Sequence, residues 1–150
     1  MPTDPDEVSL GQLSGLIGYA LRRAQQAVAQ DFAAALDAEG LRPAQFAVLE
    51  ILSANPGLRQ ARASAALGIQ TTNFVPLFDA LEQAGLAERR PIPGDRRARG
   101  LHLSDAGAAR LARLQSVIAA HEARFTARIG AEGKGQLLGL LARLAEPAFG

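Results

Sequence analysis

The chain has 150 residues, nearly half of them apolar (48%) and about a fifth charged (21%), the balance of a chain that folds around a core rather than one that stays disordered. It has no cysteine, which excludes disulfides, thiolate metal sites and a thiol redox switch. The formal net charge is only +1, so a polyanion partner can be argued only from local clustering of charge.

Residues 1–8 hold two prolines and three acidic residues without periodicity and are expected to form a loose arm. The acidic start lacks an apolar signal region, and no run of about 18 apolar residues follows, so a cytoplasmic protein without a membrane partner is expected. Leu10, Leu13, Ile17, Leu21, Ala24, Val28, Phe32 and Leu36 then recur at three-and-four spacing, which predicts one long amphipathic helix stopping at Gly40. Such a helix is longer than a small domain needs for its own core, so part of its apolar stripe is expected to meet a second chain.

Pro43 suits the first turn of a short buried helix carrying Phe46, Val48, Leu49, Ile51 and Leu52, and Asn55-Pro56-Gly57 ends it. A short helix over about 60–67, a glycine turn at Gly68, and a polar run Gln70-Thr71-Thr72-Asn73 opening another helix together make a helix-turn-helix pattern. Pro76 lies near the end of that helix's first turn if the start is at Thr71 or Thr72, and would bend the helix if it sat deeper. Gly85 suits the residue just past its end.

Two short extended segments, Leu86–Arg90 and Arg99–Leu103, flank Pro91, Pro93 and Gly94 and read as a β-hairpin. Alternation puts Leu101 and Leu103 toward the core, with Gly100 and His102 outward. Between Glu88 and His102 lie five arginines against two acids, a local +3. Ser104 is a good N-cap for a second long helix through Leu111, Leu114, Ile118, Phe125 and Ile129, and the stretch Gly130 to Gly135 breaks the pattern before a last helix rich in leucine.

The order of these elements, and three stretches in particular, resemble the MarR (multiple antibiotic resistance regulator) family. Leu41–Leu52 resembles its second helix and Leu81–Arg89 the exit from its recognition helix. Asp95-Arg96-Arg97-Ala98-Arg99 followed by Leu101-His102-Leu103-Ser104-Asp105-Ala106-Gly107 is similar to its wing signature. The resemblance implies a mainly α fold with a small β-hairpin wing. One domain, 1–150, would hold a winged helix-turn-helix lobe at about 41–103 and dimerisation helices at about 10–39 and 104–146. Arg42, Ala63 and Pro76 depart from the usual pattern, standing in turn at a capping position, at an anchor in the first helix of the motif and inside the recognition helix.

A helix entering a major groove needs short polar side chains at its start, which Gln70, Thr71, Thr72 and Asn73 supply, although threonine and asparagine also favour helix starts as caps. At the wing, Arg97 is the residue to enter the minor groove, with Arg96 and Arg99 serving flanking phosphates. Asp95 resembles the family acid that aims the wing arginine through a charge-assisted pair. Arg89 and Arg90 have no assigned role.

The implied protein is a regulator, more often repressor than activator, binding a pseudo-palindromic double-stranded DNA operator as a homodimer and released by a small-molecule effector. An anionic aromatic or an acyl thioester would suit arginine placed near aromatics, and Tyr19, Arg22, Arg23, Phe46, His121, Arg124 and Phe125 are the candidate ligand-binding residues. The alternative is a winged helix serving as a protein-interaction module without DNA. No catalytic residue, metal site or cofactor is expected: the two histidines fall in no metalloprotease pattern, and there is no phosphate loop or nucleophile elbow.

Overall fold

The computed structural model describes residues 8–147, so the loose arm expected over residues 1–8 lies, but for Val8, outside the described residues. A 3-10 turn, Gly11–Gly15, precedes the first α-helix, α1 (Ile17–Asp37). The single helix expected from Leu10 is therefore broken at Leu16, whose backbone is extended (φ −92°, ψ 128°). The cause is local, since Gly11, Gly15 and Gly18 weaken helix propagation just where the apolar spacing favours it.

Helix α2 (Pro43–Ala54) begins on its proline, and the Gln45 side chain accepts the Arg42 backbone N–H at 2.9 Å, so the departure from a capping Ser or Thr is offset by half of a capping box. A two-residue strand β1 (Leu58–Arg59) leads into α3 (Gln60–Ala66), and α4 (Thr71–Gln83) follows. Ala63 of α3 is completely buried against the core in place of the larger anchor. Pro76 is the sixth residue of α4, in its second turn rather than its first. The helix runs through it unbroken, and both Pro76 and Thr72, whose carbonyl loses its ladder partner, are exposed to water. Gly85 takes a positive φ of 73°, which lets Leu86 N–H reach the Leu81 carbonyl at 2.9 Å and ends α4 in a Schellman motif.

The hairpin is longer than its two expected segments: β2 (Ala87–Ile92) pairs antiparallel with β3 (Asp95–Leu103), and β1 adds on the other side, giving the order β1-β3-β2. This third strand corrects the expected facing of Gly100 and His102. Gly100 is buried because Gly57, just before β1, lies over it, and a Cβ at residue 100 would meet the Gly57 carbonyl oxygen at 3.0 Å. His102 is half-buried with its ring against Gly57. Leu101 does point to the core, and Leu103 packs partly buried against it.

The last helix, α5 (Asp105–Ala145), is interrupted at one residue only, Gly130 (φ 75°, ψ 164°), so the expected six-residue break is a kink. The core joins Val48, Leu49 and Leu52 of α2, Ala63 of α3, Phe74, Phe78 and Leu81 of α4, Leu101 of β3, Leu111 and Leu114 of α5 and Leu36 at the end of α1. Each large apolar side chain buried there stabilises the fold by about 1.5–3 kcal/mol before chain entropy is counted. Among the described residues no helix is long and apolar enough to cross a membrane.

Candidate nucleic-acid interface and effector cleft

The buried face of α4 fixes where its polar start points. Phe74, Phe78 and Leu81 are sealed in the core at helical spacing, which leaves Gln70, Thr71, Thr72 and Asn73 exposed together at the N-terminus. Gln70 is the N-cap, but its side chain makes no capping hydrogen bond; only its carbonyl is engaged, accepting from Asn73 and Phe74 N–H at 2.9 Å. The polar side chains are thus not consumed by capping.

At the wing tip Asp95 organises the turn. One carboxylate oxygen accepts the backbone N–H of Arg97 (3.1 Å) and of Ala98 (3.2 Å), and the other pairs with Arg59 at 3.5 Å. The expected pair with the Arg97 side chain is replaced by this arrangement: the acid holds the Arg97 backbone, and its ion partner comes from β1. These N–H groups first, and the Arg59 charge after them, hold the Asp95 carboxyl below its ordinary range. Arg96 and Arg97 stand exposed on the tip, while the exposed Arg99 folds back to donate to the Arg96 and Ala98 carbonyls at 3.2 Å.

Arg89 and Arg90 behave differently. Arg89 bridges Asp79 and Glu82 of α4, both at 2.7 Å, with its guanidinium 4.5 Å from the Phe78 ring centroid, so it fastens the hairpin to the recognition helix. Arg90 pairs with Glu88 on its own strand. At the hairpin root Ser104 accepts Gly107 N–H at 3.0 Å and donates to the Gly85 carbonyl, while its own N–H donates to Leu86 at 3.1 Å. The exit of α4 and the start of α5 are therefore one hydrogen-bonded junction.

The candidate ligand residues fall into separate groups. Tyr19, Arg22 and Arg23 associate with one another on α1: the Arg22 guanidinium stacks 5.5 Å from the Tyr19 ring and Arg23 donates to the Tyr19 hydroxyl at 3.3 Å. Twelve residues further, about 18 Å along the helix axis, Asp31 meets α5. It accepts both Arg124 Nε (3.1 Å) and Nη2 (2.6 Å) and pairs with Nδ1 of the buried His121 at 2.6 Å. Arg124 first and His121 second hold Asp31 below its ordinary range, and Asp31 in turn raises Arg124. His121 also touches Phe32 (4.9 Å between centroids) and Phe125 (5.2 Å), and Phe32 meets Phe46 edge-on at 5.6 Å.

Beyond Phe46 lies a cleft of about 300 Å³ between α2 and α5, lined by Phe46, Glu50, Leu111, Gln115, Ile118 and Ala119. Only Phe46 among these was a candidate ligand residue from the sequence; Leu111 and Ile118 were read there as the apolar stripe of a helix. Asp31, Arg59 and the rest of the cleft could not be found there, because their partners are separated by tens of residues and no local motif marks them. Among the described residues no group of three or more metal-ligating side chains forms.

A helix-turn-helix opening on unengaged polar side chains, flanked by an arginine-tipped hairpin and carried between long helices, defines a winged-helix transcriptional regulator. The MarR family model matches residues 39–98. A putative transcriptional regulatory protein for the hcr operon of Thauera aromatica is 34% identical over 143 residues, covering 95% of this chain and 86% of that protein. The transcriptional repressor CouR bound to a 23-mer DNA duplex is 45% identical with a TM-score of 0.90, covering 94% of this chain and 100% of that one. CouR bound to p-coumaroyl-CoA is 43% identical with a TM-score of 0.84, over 94% and 99%. The chain belongs to the MarR family, whose members are transcriptional regulators and not enzymes.

Proposed function

We propose that this chain is a repressor that binds a pseudo-palindromic DNA operator as a homodimer and is released by an aromatic acyl thioester. The observation that carries the reading is the pairing of two exposed features: Gln70, Thr71, Thr72 and Asn73 at the start of α4, and Arg96, Arg97 and Arg99 on the wing. The first would read base edges in a major groove and the second would lie in the adjacent minor groove and on its phosphates. Asp95 and Arg59 hold the wing tip for that contact. A wing bearing three exposed arginines speaks against a protein-interaction module that ignores DNA.

The homodimer is supported by apolar surface the chain does not cover itself. Leu21, Ala24, Val28, Leu137 and Leu141, with Gln25 and Ala29, line an apolar groove of about 470 Å³ between α1 and the end of α5, and Leu138, Leu140 and Leu144 stand more than half exposed beside it. Burying this surface against its two-fold copy would set the recognition helices about 34 Å apart, one turn of duplex.

The acyl thioester is supported by the repressor at 43% identity whose structure holds p-coumaroyl-CoA. Phe46 would meet such a ligand in the α2–α5 cleft, with His121, Arg124 and Phe125 behind it and Tyr19, Arg22 and Arg23 farther along α1. The ligand acts only through a higher affinity for the spacing that cannot hold DNA. The test is to select bound fragments from random duplexes, then titrate the selected duplex by fluorescence anisotropy with and without p-coumaroyl-CoA. A palindromic consensus whose complex dissociates on adding the thioester is expected; binding without sequence preference would defeat the reading.

A further inference from the structure

The α2–α5 cleft carries a charge asymmetry that bears on which form of an aromatic acid enters it. Its volume of about 300 Å³ sits at the lower end of small-molecule sites. It accommodates an aromatic acyl group, and leaves the nucleotide of a coenzyme A thioester outside. Four of its six lining residues are apolar: Phe46, Leu111, Ile118 and Ala119. The remaining two are Glu50 and Gln115, both exposed and so at its mouth. Glu50 lies one turn beyond Phe46 on α2, and Gln115 one turn beyond Leu111 on α5.

No arginine, lysine or histidine lines this cleft, so its only charged side chain is an acid. Arg124, the candidate ligand arginine on α5, does not line the cleft and gives its Nε and Nη2 to Asp31. A free aromatic acid is ionised at neutral pH. Whichever way round it entered, its carboxylate would lie either among apolar groups or beside Glu50, where the Gln115 amide can donate to it but no cation offsets the like charge. An ester or thioester of the same acid has no such charge, and its carbonyl can accept from the Gln115 amide.

We infer that Glu50 is a specificity-determining residue that excludes free aromatic carboxylates from the cleft and admits their neutral acyl derivatives, with Gln115 as the donor to the acyl carbonyl. The inference rests on the proposed acyl-thioester effector and narrows it: of the two ligand classes the sequence left open, the anionic aromatic is the one rejected. It also gives the regulator a chemical reason to respond to an activated acid and not to its precursor, since the two differ in charge at the carboxyl group.

The experiment is isothermal titration calorimetry of wild type and Glu50→Gln with p-coumarate, its neutral methyl ester, and p-coumaroyl-CoA. Two like charges a few ångströms apart at a half-solvated site cost on the order of tenfold in affinity. Wild type is expected to bind methyl p-coumarate at least about tenfold more tightly than p-coumarate, and Glu50→Gln to bring the two within about threefold by improving the acid alone. Gln115→Leu is expected to weaken the ester. Wild type binding acid and ester equally, or a ratio unchanged in Glu50→Gln, overturns the inference even if p-coumaroyl-CoA binds both proteins, in which case the effector reading stands. If p-coumaroyl-CoA fails to bind while the ester preference and its loss in Glu50→Gln are seen, the effector reading falls and the role of Glu50 stands. If none of the probes binds either protein, the cleft is not an acyl site and both fall.

Discussion

The lobe built from α2, α3, α4 and the sheet, and the two long helices that carry it, solve opposite problems. Every fully buried large side chain comes from the lobe or from the stretch of helix touching it: Val48, Leu49, Leu52, Phe74, Phe78, Leu81, Leu101, with Leu36 and Leu114 where α1 and α5 meet them. Along α1 before Leu36, and along α5 after His121, no residue is buried. Ile17, Leu21, Val28, Ile129, Leu137, Leu138, Leu140 and Leu144 lie exposed instead. The lobe is complete within one chain, whereas the outer helices hold apolar surface that water alone covers poorly. Fold stability and assembly are thus written in different residues, and substitutions should separate them.

The sharpest break falls on the outer helices. Leu137→Asp combined with Leu141→Asp places two charges in the apolar groove. Light scattering should report a monomer. Affinity for the selected duplex should fall by at least about a hundredfold, because the two half-sites are no longer engaged together. The lobe's melting should persist, since none of its core is touched.

The converse break leaves the outer helices alone. Gly107 packs so closely on the α4 exit that a Cβ would lie 1.9 Å from the Leu86 carbonyl oxygen. Gly107→Ala must push α5 away from Leu86 or break the Ser104 junction. A cost of about 2–4 kcal/mol is expected, lowering the melting temperature by about 5–15 °C at this chain length, measured by circular dichroism.

Arg97 tests function with neither region damaged, since it is exposed and its side chain holds no partner in the wing. Arg97→Ala is expected to weaken binding about tenfold across DNA sequences and to lower the slope of log affinity against log salt by about one. Thr72→Ala or Asn73→Ala should instead alter sequence preference while leaving the slope alone. Arg89→Ala, which removes the clasp on Asp79, Glu82 and Phe78, should cost stability and leave the slope unchanged.

The lobe was far more legible in sequence than the outer helices, for a physical reason. Its signals are local: Pro43 at a helix start, Gly85 at a helix end, Ser104 three residues before the N–H it caps, and an arginine run between turn residues. Apolar periodicity over Leu10–Leu36 is equally local but speaks only of which face is apolar. It does not report that Gly11, Gly15 and Gly18 stop the helix from reaching back to Leu10. The addition of β1 to the sheet could not be read either, because it depends on Gly57 meeting Gly100, and that contact buries residue 100 and half-covers residue 102, both expected to face outward. At the candidate sites, Arg96, Arg97 and Arg99 were visible through the wing pattern. Asp31, ninety residues from His121, and Arg59, on the far side of the sheet from β2, became partners only through folding.

The smallest expected effects separate the two regions by pH. Asp31 ties α1 to α5 and Asp95 ties the wing tip to β1, and each carboxyl is lowered in the folded chain by the donors it faces. A carboxyl lowered on folding contributes stability above its unfolded-state value, and that contribution is lost as pH falls through the lowered folded value. Urea unfolding of Asp31→Asn should therefore trail wild type at pH 6 and approach it as the pH drops below the usual carboxylate range. Asp95→Asn should follow the same course with a smaller gap, because its first partners are backbone N–H groups that an amide oxygen can still engage. Only Asp95→Asn should also reduce DNA affinity, since it loosens Arg59 from the tip that carries Arg97. If Asp31→Asn reduced DNA affinity as strongly while the dimer persisted, the boundary drawn between lobe and outer helices would be wrong. The Asp31–His121–Arg124 cluster would then transmit to the recognition helix what happens along α1.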